Sequence, residues 1–217
     1  MLPFKRTLFS IVFISLTCLQ VNAQRNSINY FAGGMVVQGE ASGGSLVSDD
    51  IGLGIGIGFN APLYKSKIEF ITSLEYYSLR LDYIEQSNPQ NIGIMEGTNT
   101  QTSAGIGLNI YLNKSTNLVS LYQPFRPYIT VSGGVLVQNN NLRFSNNFDF
   151  PNVQGTFFLP FGELGAGCQI RVNPTYSINL NIALRTTLSD EIDGLIGTTD
   201  VPDVMGLFRF GISYNLK

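Results

Sequence analysis

The sequence predicts an all-β fold, an eight-stranded antiparallel up-and-down transmembrane β-barrel, and three observations carry that expectation. Eight segments alternate large apolar with small polar side chains at a period of two, as strands do when their two faces meet different surroundings. The connections between them alternate in length, short then long. Acidic residues gather in the long connections, although charge played no part in finding the strands.

Composition agrees. Only 13% of the 217 residues are charged, about half the share usual in a soluble domain. Residues 1–23 read as a secretory signal peptide, and 24–217 as the barrel domain. Lys5 and Arg6 start the leader, Leu8–Leu19 is its apolar run, and Val21-Asn22-Ala23 offers a cleavage site before Gln24. That run is too short to span a bilayer as a helix. Cys18 suggests a lipoprotein leader instead, but Ser15-Leu16-Thr17 before it fits that pattern badly. After cleavage Cys168 is the single cysteine, so no intrachain disulfide is expected; its apolar strand face makes it an inert small hydrophobe. No other stretch is long and apolar enough for a helical span, so membrane residence falls to strands.

The first strand, about Asn26–Gly39, is apolar on both sides and the least distinct. The second carries the clearest signal: Ile51, Leu53, Ile55, Ile57 and Phe59 alternate with Gly52, Gly54, Gly56 and Gly58. Glycine weakens a strand and packs nothing, so four in register imply a crowded interior on that side. In the third, about Lys67–Ile84, Ile68, Phe70, Leu74 and Tyr76 oppose Glu69, Ser73 and Glu75, and the apolar register then moves to Leu79, Leu81 and Tyr83. That shift suggests a bulge near Tyr77. The fourth, about Thr100–Asn113, sets Ile106, Leu108 and Ile110 against Gly105, Gly107 and Asn109. The fifth, about Arg126–Gln138, sets Ile129, Val131 and Val135 against Tyr128, Thr130 and Ser132.

In the sixth, about Phe157–Val172, Leu164, Ala166, Cys168 and Ile170 oppose Glu163, Gly165, Gly167 and Gln169, with Pro160 marking its start or a bulge. The seventh, about Ser177–Ser189, opposes Ile178, Leu180, Ile182 and Leu184 to Asn179, Asn181, Ala183 and Arg185. The eighth, about Met205–Leu216, opposes Phe208, Phe210, Ile212 and Tyr214 to Arg209, Gly211 and Ser213. Each is long enough to cross a bilayer at a tilt.

Short connections fall at Ala61–Ser66, Lys114–Phe125 (with room for a helical turn at Thr116–Tyr122) and Asn173–Tyr176. Long ones fall at Glu40–Asp50, Glu85–Asn99, Asn139–Thr156 and Asp190–Val204. The long ones hold Glu40, Asp49, Asp50, Glu85, Glu96, Asp149, Asp190, Glu191, Asp193, Asp200 and Asp203, against one basic residue, Arg143. Arg25, Lys65, Lys67, Lys114, Arg126 and Lys217 mark the short-turn end. Aromatic girdles are expected at both interfaces: Phe59, Tyr122, Phe125, Tyr176 and Tyr214 at the short-turn end; Tyr76, Tyr83, Phe157, Phe158 and Phe208 at the other. A soluble lipocalin-like barrel would show charged residues outside, whereas the polar face here is mostly Gly, Ser, Thr and Asn, small enough for a narrow lumen.

These features resemble the small outer-membrane β-barrels of the OmpA/OmpX type. Arg209-Phe210-Gly211-Ile212-Ser213-Tyr214-Asn215-Leu216 is similar to their C-terminal assembly signal, with Gly211, Tyr214 and Leu216 in the matching places. The resemblance implies the outer-membrane assembly machinery as a partner. The chain departs from the pattern by ending in Leu216-Lys217 rather than an aromatic. Gln24 and Ser189-Asp190-Glu191-Ile192-Asp193-Gly194 look more narrowly like barrels of the Bacteroidota, among them PorG, the barrel of the type IX secretion system.

Chemistry has little to work with. The chain has no histidine, and outer-membrane barrels that are hydrolases or acyltransferases resemble one another in using a His base. The glycine alternation is no phosphate loop, because no Lys-Ser/Thr follows it. Dispersed basic residues give nucleic-acid binding no support. No cofactor or metal is called for. Glu163, Arg185 and Arg209 count to one height on the inward faces of strands six to eight, and with Glu75 from strand three they are expected to form a lumenal ion-pair cluster. Asp190, Glu191, Asp193, Asp200 and Asp203 form a candidate weak calcium or partner-binding loop, for which a solvated acidic surface is the better reading because the spacing is not that of an EF-hand.

The function expected is that of a non-enzymatic outer-membrane barrel, a structural or partner-binding platform. The alternatives are a narrow passive channel and accessory service to a secretion machine. Membrane lipid is the surrounding partner, and a periplasmic protein could meet the basic short-turn end at Lys65 or Lys114.

Overall fold

The computed structural model describes residues 26–38, 51–64, 67–88, 91–113, 124–144, 155–187 and 204–216, with backbone alone at 38, 64, 81–88, 91–95 and 144. The expected signal peptide (residues 1–23), the expected helical turn at Thr116–Tyr122 and the candidate loop Asp190–Asp203 lie outside these residues. Among them are eight strands: β1 Ser27–Gln38, β2 Gly52–Tyr64, β3 Ile68–Asn88, β4 Asn91–Tyr111, β5 Phe125–Phe144, β6 Gly155–Arg171, β7 Tyr176–Thr187 and β8 Val204–Asn215. Each pairs antiparallel with the next, and β8 returns to β1 from Asn215 opposite Ser27 to Val204 opposite Gln38, which closes the barrel. Closure leaves no sheet edge within the eight-stranded wall.

The alternation decides which way each side chain points. Leu53, Ile55, Ile106, Leu164 and Ile182 are 61–72% exposed on the outside. A protein dissolved in water does not display such a belt on every strand; hydrocarbon is the solvent that fits it. The glycines of β2 face inward, where rings from neighbouring strands take up the room. A Cβ at Gly54 would collide with the Tyr77 ring, and one at Gly56 with the Phe31 ring. The same holds for Gly134 beside Phe161 and Gly167 beside Tyr128. Cys168 is free, half-buried and on the outward face. At the short-turn end Asn173 shapes the β6–β7 turn, its Oδ1 accepting from the backbone N–H groups of Thr175 and Tyr176, both at 2.8 Å.

Five expectations need correction. The smallest concerns the connection expected at Ala61–Ser66: β2 runs on to Tyr64 inside it, with a register irregularity between Pro62 and Tyr64. The register of β3 runs without a shift through Tyr77, from Leu53 opposite Ser78 to Gly56 opposite Glu75. Tyr77 and Leu79 therefore point inward, and the apolar residues change face because their surroundings change. They join Met35, Val37, Leu136, Leu142, Leu159, Phe161, Ala183, Met205 and Leu207 in an apolar core that fills the outer lumen. The expected loop Glu85–Asn99 is instead a continuation of β3 and β4, paired up to Asn88 opposite Asn91. Part of the loop expected at Asn139–Thr156 is likewise strand: β5 runs on to Phe144, with Arg143 opposite Glu96. There the outward face carries polar residues (Thr98, Asn139, Asn141, Arg143) while the buried inward face mixes amides (Asn99, Gln101, Gln138, Asn140) with Leu142, so alternation fades while the ladder continues. Phe157 packs against the lumenal core rather than in the outer girdle; Tyr76, Phe158 and Phe208 do face outward, as do Phe125, Tyr176 and Tyr214 at the other end.

Candidate functional site

β3 and β7 stand on opposite sides of an eight-stranded wall, so a side chain from one reaches the other only by crossing the bore. Arg185 of β7 does so. Its register partner Glu163 on β6 accepts from Nε at 3.0 Å and from Nη2 at 2.7 Å. Across the lumen, Nη2 donates to Glu75 Oε2 of β3 at 2.7 Å, and Nη1 to Ser103 Oγ of β4 at 3.1 Å.

Arg209 of β8 adds the fourth charge. Its Nη1 donates to Glu163 Oε1 at 2.8 Å and to Asn181 Oδ1 at 2.9 Å; its Nη2 donates to Glu163 Oε2 at 2.7 Å and to Glu75 Oε2 at 3.1 Å. Two guanidinium groups thus share two carboxylates, and the cluster carries no net charge. Strands β3, β4, β6, β7 and β8 are tied together through one node. The Phe161 ring lies 4.2 Å from Arg185 Cζ, over the cation, and glycines at 105 and 134 leave that ring its place. Burial differs between the arginines: the Arg185 side chain is 1% exposed and that of Arg209 10%.

Directly above, toward the long connections, lies the apolar core. Met205 and Leu136 are fully enclosed there, together with the amide side chains of Asn99, Gln101 and Gln138. Below the cluster is a cavity of about 80 Å³, with Glu75, Glu163 and Arg209 in its lining beside Asn29, Asn181 and Ser132. At the short-turn end a second network crosses from β3 to β6. Tyr111 Oη donates to Glu69 Oε2 at 2.7 Å, Arg126 Nη1 donates to Gln169 Oε1 at 3.0 Å, and Arg126 Cζ stacks 3.7 Å from the Tyr111 ring. The Arg126–Glu69 pair is looser, at 3.7 Å. A third knot joins β1, β7 and β8 through Asn29, Asn179 and Ser213.

The structure therefore brings together Glu75, Glu163, Arg185 and Arg209. Sequence reasoning missed Ser103, Asn181 and the whole Glu69–Tyr111–Arg126–Gln169 network. Only part of a signal for that network was present: Glu69 and Arg126 are opposite charges on the small-residue side of their strands at the same end, whereas uncharged Tyr111 and Gln169 do not stand out there. Gly211 faces the lumen in β8, Tyr214 is exposed on the outside with its ring 5.5 Å from that of Tyr176, and Leu216 donates its backbone N–H to Asn26 O. Asp190, Glu191, Asp193, Asp200 and Asp203 lie outside the described residues.

No protein-family model matches the chain, and no curated protein matches it. Solved structures do. Neisserial surface protein A (NspA) shares 11% identity over 88% of this chain and 97% of its own, with a TM-score of 0.52. Ail, the attachment invasion locus protein of Yersinia pestis, solved with the heparin analogue sucrose octasulfate, shares 15% identity over 88% and 98%, with a TM-score of 0.50. At such identities the likeness speaks for architecture alone: the chain folds as an eight-stranded antiparallel transmembrane β-barrel of the kind found in outer-membrane proteins.

Proposed function

We propose that this chain is a non-enzymatic protein of the bacterial outer membrane, a closed barrel that serves as a structural or partner-binding platform rather than as a pore. One observation carries the reading: the bore is blocked twice in succession, by the charge-balanced cluster of Glu75, Glu163, Arg185 and Arg209 and by the apolar core above it. An ion on this path would have to shed water against a cluster already paired and then cross a dry layer, which costs several kcal/mol. The same pairing engages both carboxylates, so neither Glu75 nor Glu163 is left to act as a general acid or base. A membrane-embedded wall that does not conduct has its ends to work with. Its strands continue past the belt as the β3–β4 hairpin, a rigid base for whatever the long connections recognise.

In this reading the leader is removed on export, and the outer-membrane assembly machinery receives β8 through Gly211, Tyr214 and Leu216. Acidic connections face the outside, and the basic short-turn end faces a periplasmic partner. Membership of the Bacteroidota barrels and service to a type IX secretion machine belong to the same proposal, at its finest grain. Purified barrel added to a planar bilayer tests the central part: no steady conductance is expected. Long-lived openings of the size a water-filled pore gives would overturn it in favour of the passive channel.

A further inference from the structure

The two ends of the lumen are not equivalent. On the long-connection side of the ion-pair cluster the inward side chains are shut off: Met35, Tyr77, Leu79, Leu136 and Met205 are at most 1% exposed. On the short-turn side Asn29, Ser73, Ser132 and Asn181, which line the cavity, are only partly buried, although Thr130, Asn179 and Ser213 between them are closed off. The two arginines follow the same division, since Arg209 lines the cavity and Arg185 does not.

Among the described residues the second network reaches across only part of this end. Among those residues its bulky members Glu69, Tyr111, Arg126 and Gln169 all come from β3 to β6, whereas β7, β8, β1 and β2 offer the smaller Ser177, Ser213, Ser27 and Asn60 at the same mouth, themselves at most 5% exposed. Half of the mouth is barred and the other half is lined by small side chains.

We propose that the lumen below the ion-pair cluster is a blind vestibule, entered from the short-turn end only, that takes up small uncharged hydrogen-bonding solutes. The lining sets the class of ligand. Amides of Asn29, Asn109 and Asn181 and hydroxyls of Ser73 and Ser132 supply both donors and acceptors. Arg209, Glu75 and Glu163 at the ceiling already satisfy one another, so a cation meets Arg209 and an anion meets two carboxylates. A cavity of about 80 Å³ holds several waters or one solute of a few non-hydrogen atoms.

The proposal rests on the sealed lumen proposed above, and its test reads differently. Ser132→Cys and Ser73→Cys would be made separately in the full-length protein carrying Cys168→Ala, with Leu136→Cys as the apolar-layer control. Heat-dependent gel mobility would show that each variant folds. In vesicles with the long-connection end outward, methyl methanethiosulfonate is added outside. With glutathione trapped inside to consume reagent that crosses the bilayer, the cysteines at 132 and 73 should stay unmodified. Without trapped glutathione both should be modified, while the cysteine at 136 stays free in either case. In micelles, where both ends are wet, the trimethylammonium-ethyl reagent should react at least about tenfold more slowly than the neutral one, after correction for their rates with free thiol.

Modification despite trapped glutathione would overturn the one-sided entry. Failure of both cysteines to react without it would overturn the vestibule while a non-conducting barrel still stood. Equal rates for the charged and neutral reagents would overturn the preference for uncharged solutes.

Discussion

Arg185 donates to three partners from three other strands, Glu163, Glu75 and Ser103, and is 1% exposed. Buried ion pairs contribute little net stability relative to an apolar replacement, yet removing one partner leaves the others charged and dry. Arg185→Gln leaves two carboxylates facing Arg209 alone. It should cost about 3–5 kcal/mol in urea unfolding from lipid vesicles; a loss under about 1 kcal/mol, the range of a surface pair, would mean that water already reaches the cluster. Two glycines of β2 and β6 make the complementary point about space. A Cβ at Gly54 would strike Tyr77 and the Tyr76 carbonyl, so Gly54→Ala should destabilise by about 1–3 kcal/mol. Gly162 faces outward, and a Cβ there meets nothing within 4 Å. Gly162→Ala should therefore be neutral or stabilise by about 0.5 kcal/mol in the same assay, through the unfolded chain alone.

At the scale of the strand, the hairpin of β3 and β4 is the element that separates what alternation reveals from what it hides. Past Ser78, among the described residues, β3 pairs with β4 but no longer with β2, and the ladder runs on to Asn88 opposite Asn91. Amides from Leu79 to Gln86 whose hydrogens point toward β4 should exchange orders of magnitude more slowly than those of an open loop. Exchange at loop rates through that stretch would show that the ladder does not persist in solution. Alternation could reveal the eight crossings because one face of each meets lipid and the other a narrow bore. It could not reveal the rest of the hairpin, where Glu85-Gln86-Ser87-Asn88 is polar at every position and the inward face of β4 holds the buried amides Asn99 and Gln101 rather than apolar side chains. For the same reason Tyr77 and Leu79 suggested a bulge: an apolar residue on the inward face looks like a slipped register until the outer lumen is known to be dry. Charge was more legible. Glu163, Arg185 and Arg209 stand out on faces otherwise made of Gly, Ser and Asn, and counting from the turns sets them level. Tyr111 and Gln169 carry no charge, so nothing in spacing alone marks them as partners of Glu69 and Arg126.

The whole molecule is a wall with its apolar side outward and its polar side crossed by bonds. Closure between β1 and β8 satisfies the backbone, the outward belt fixes the solvent, and the lumenal layers hold opposite strands at a set distance. Function, as proposed, follows from what the wall refuses as much as from what it presents: a bore that would pass no ions and whose short-turn half alone would admit solutes. All of it depends on the outward side chains meeting hydrocarbon. Spin labels at Ile55 and Ile182 in reconstituted vesicles, with one at Ser103 for comparison, test this most directly through collision with oxygen, which concentrates in lipid, and with a water-soluble nickel complex. The account predicts frequent oxygen collisions and rare nickel collisions at positions 55 and 182, with an immobile label shielded from both at 103. Labels at 55 and 182 that were immobile and sheltered from oxygen, in a chain that stayed monomeric in water without detergent, would contradict it.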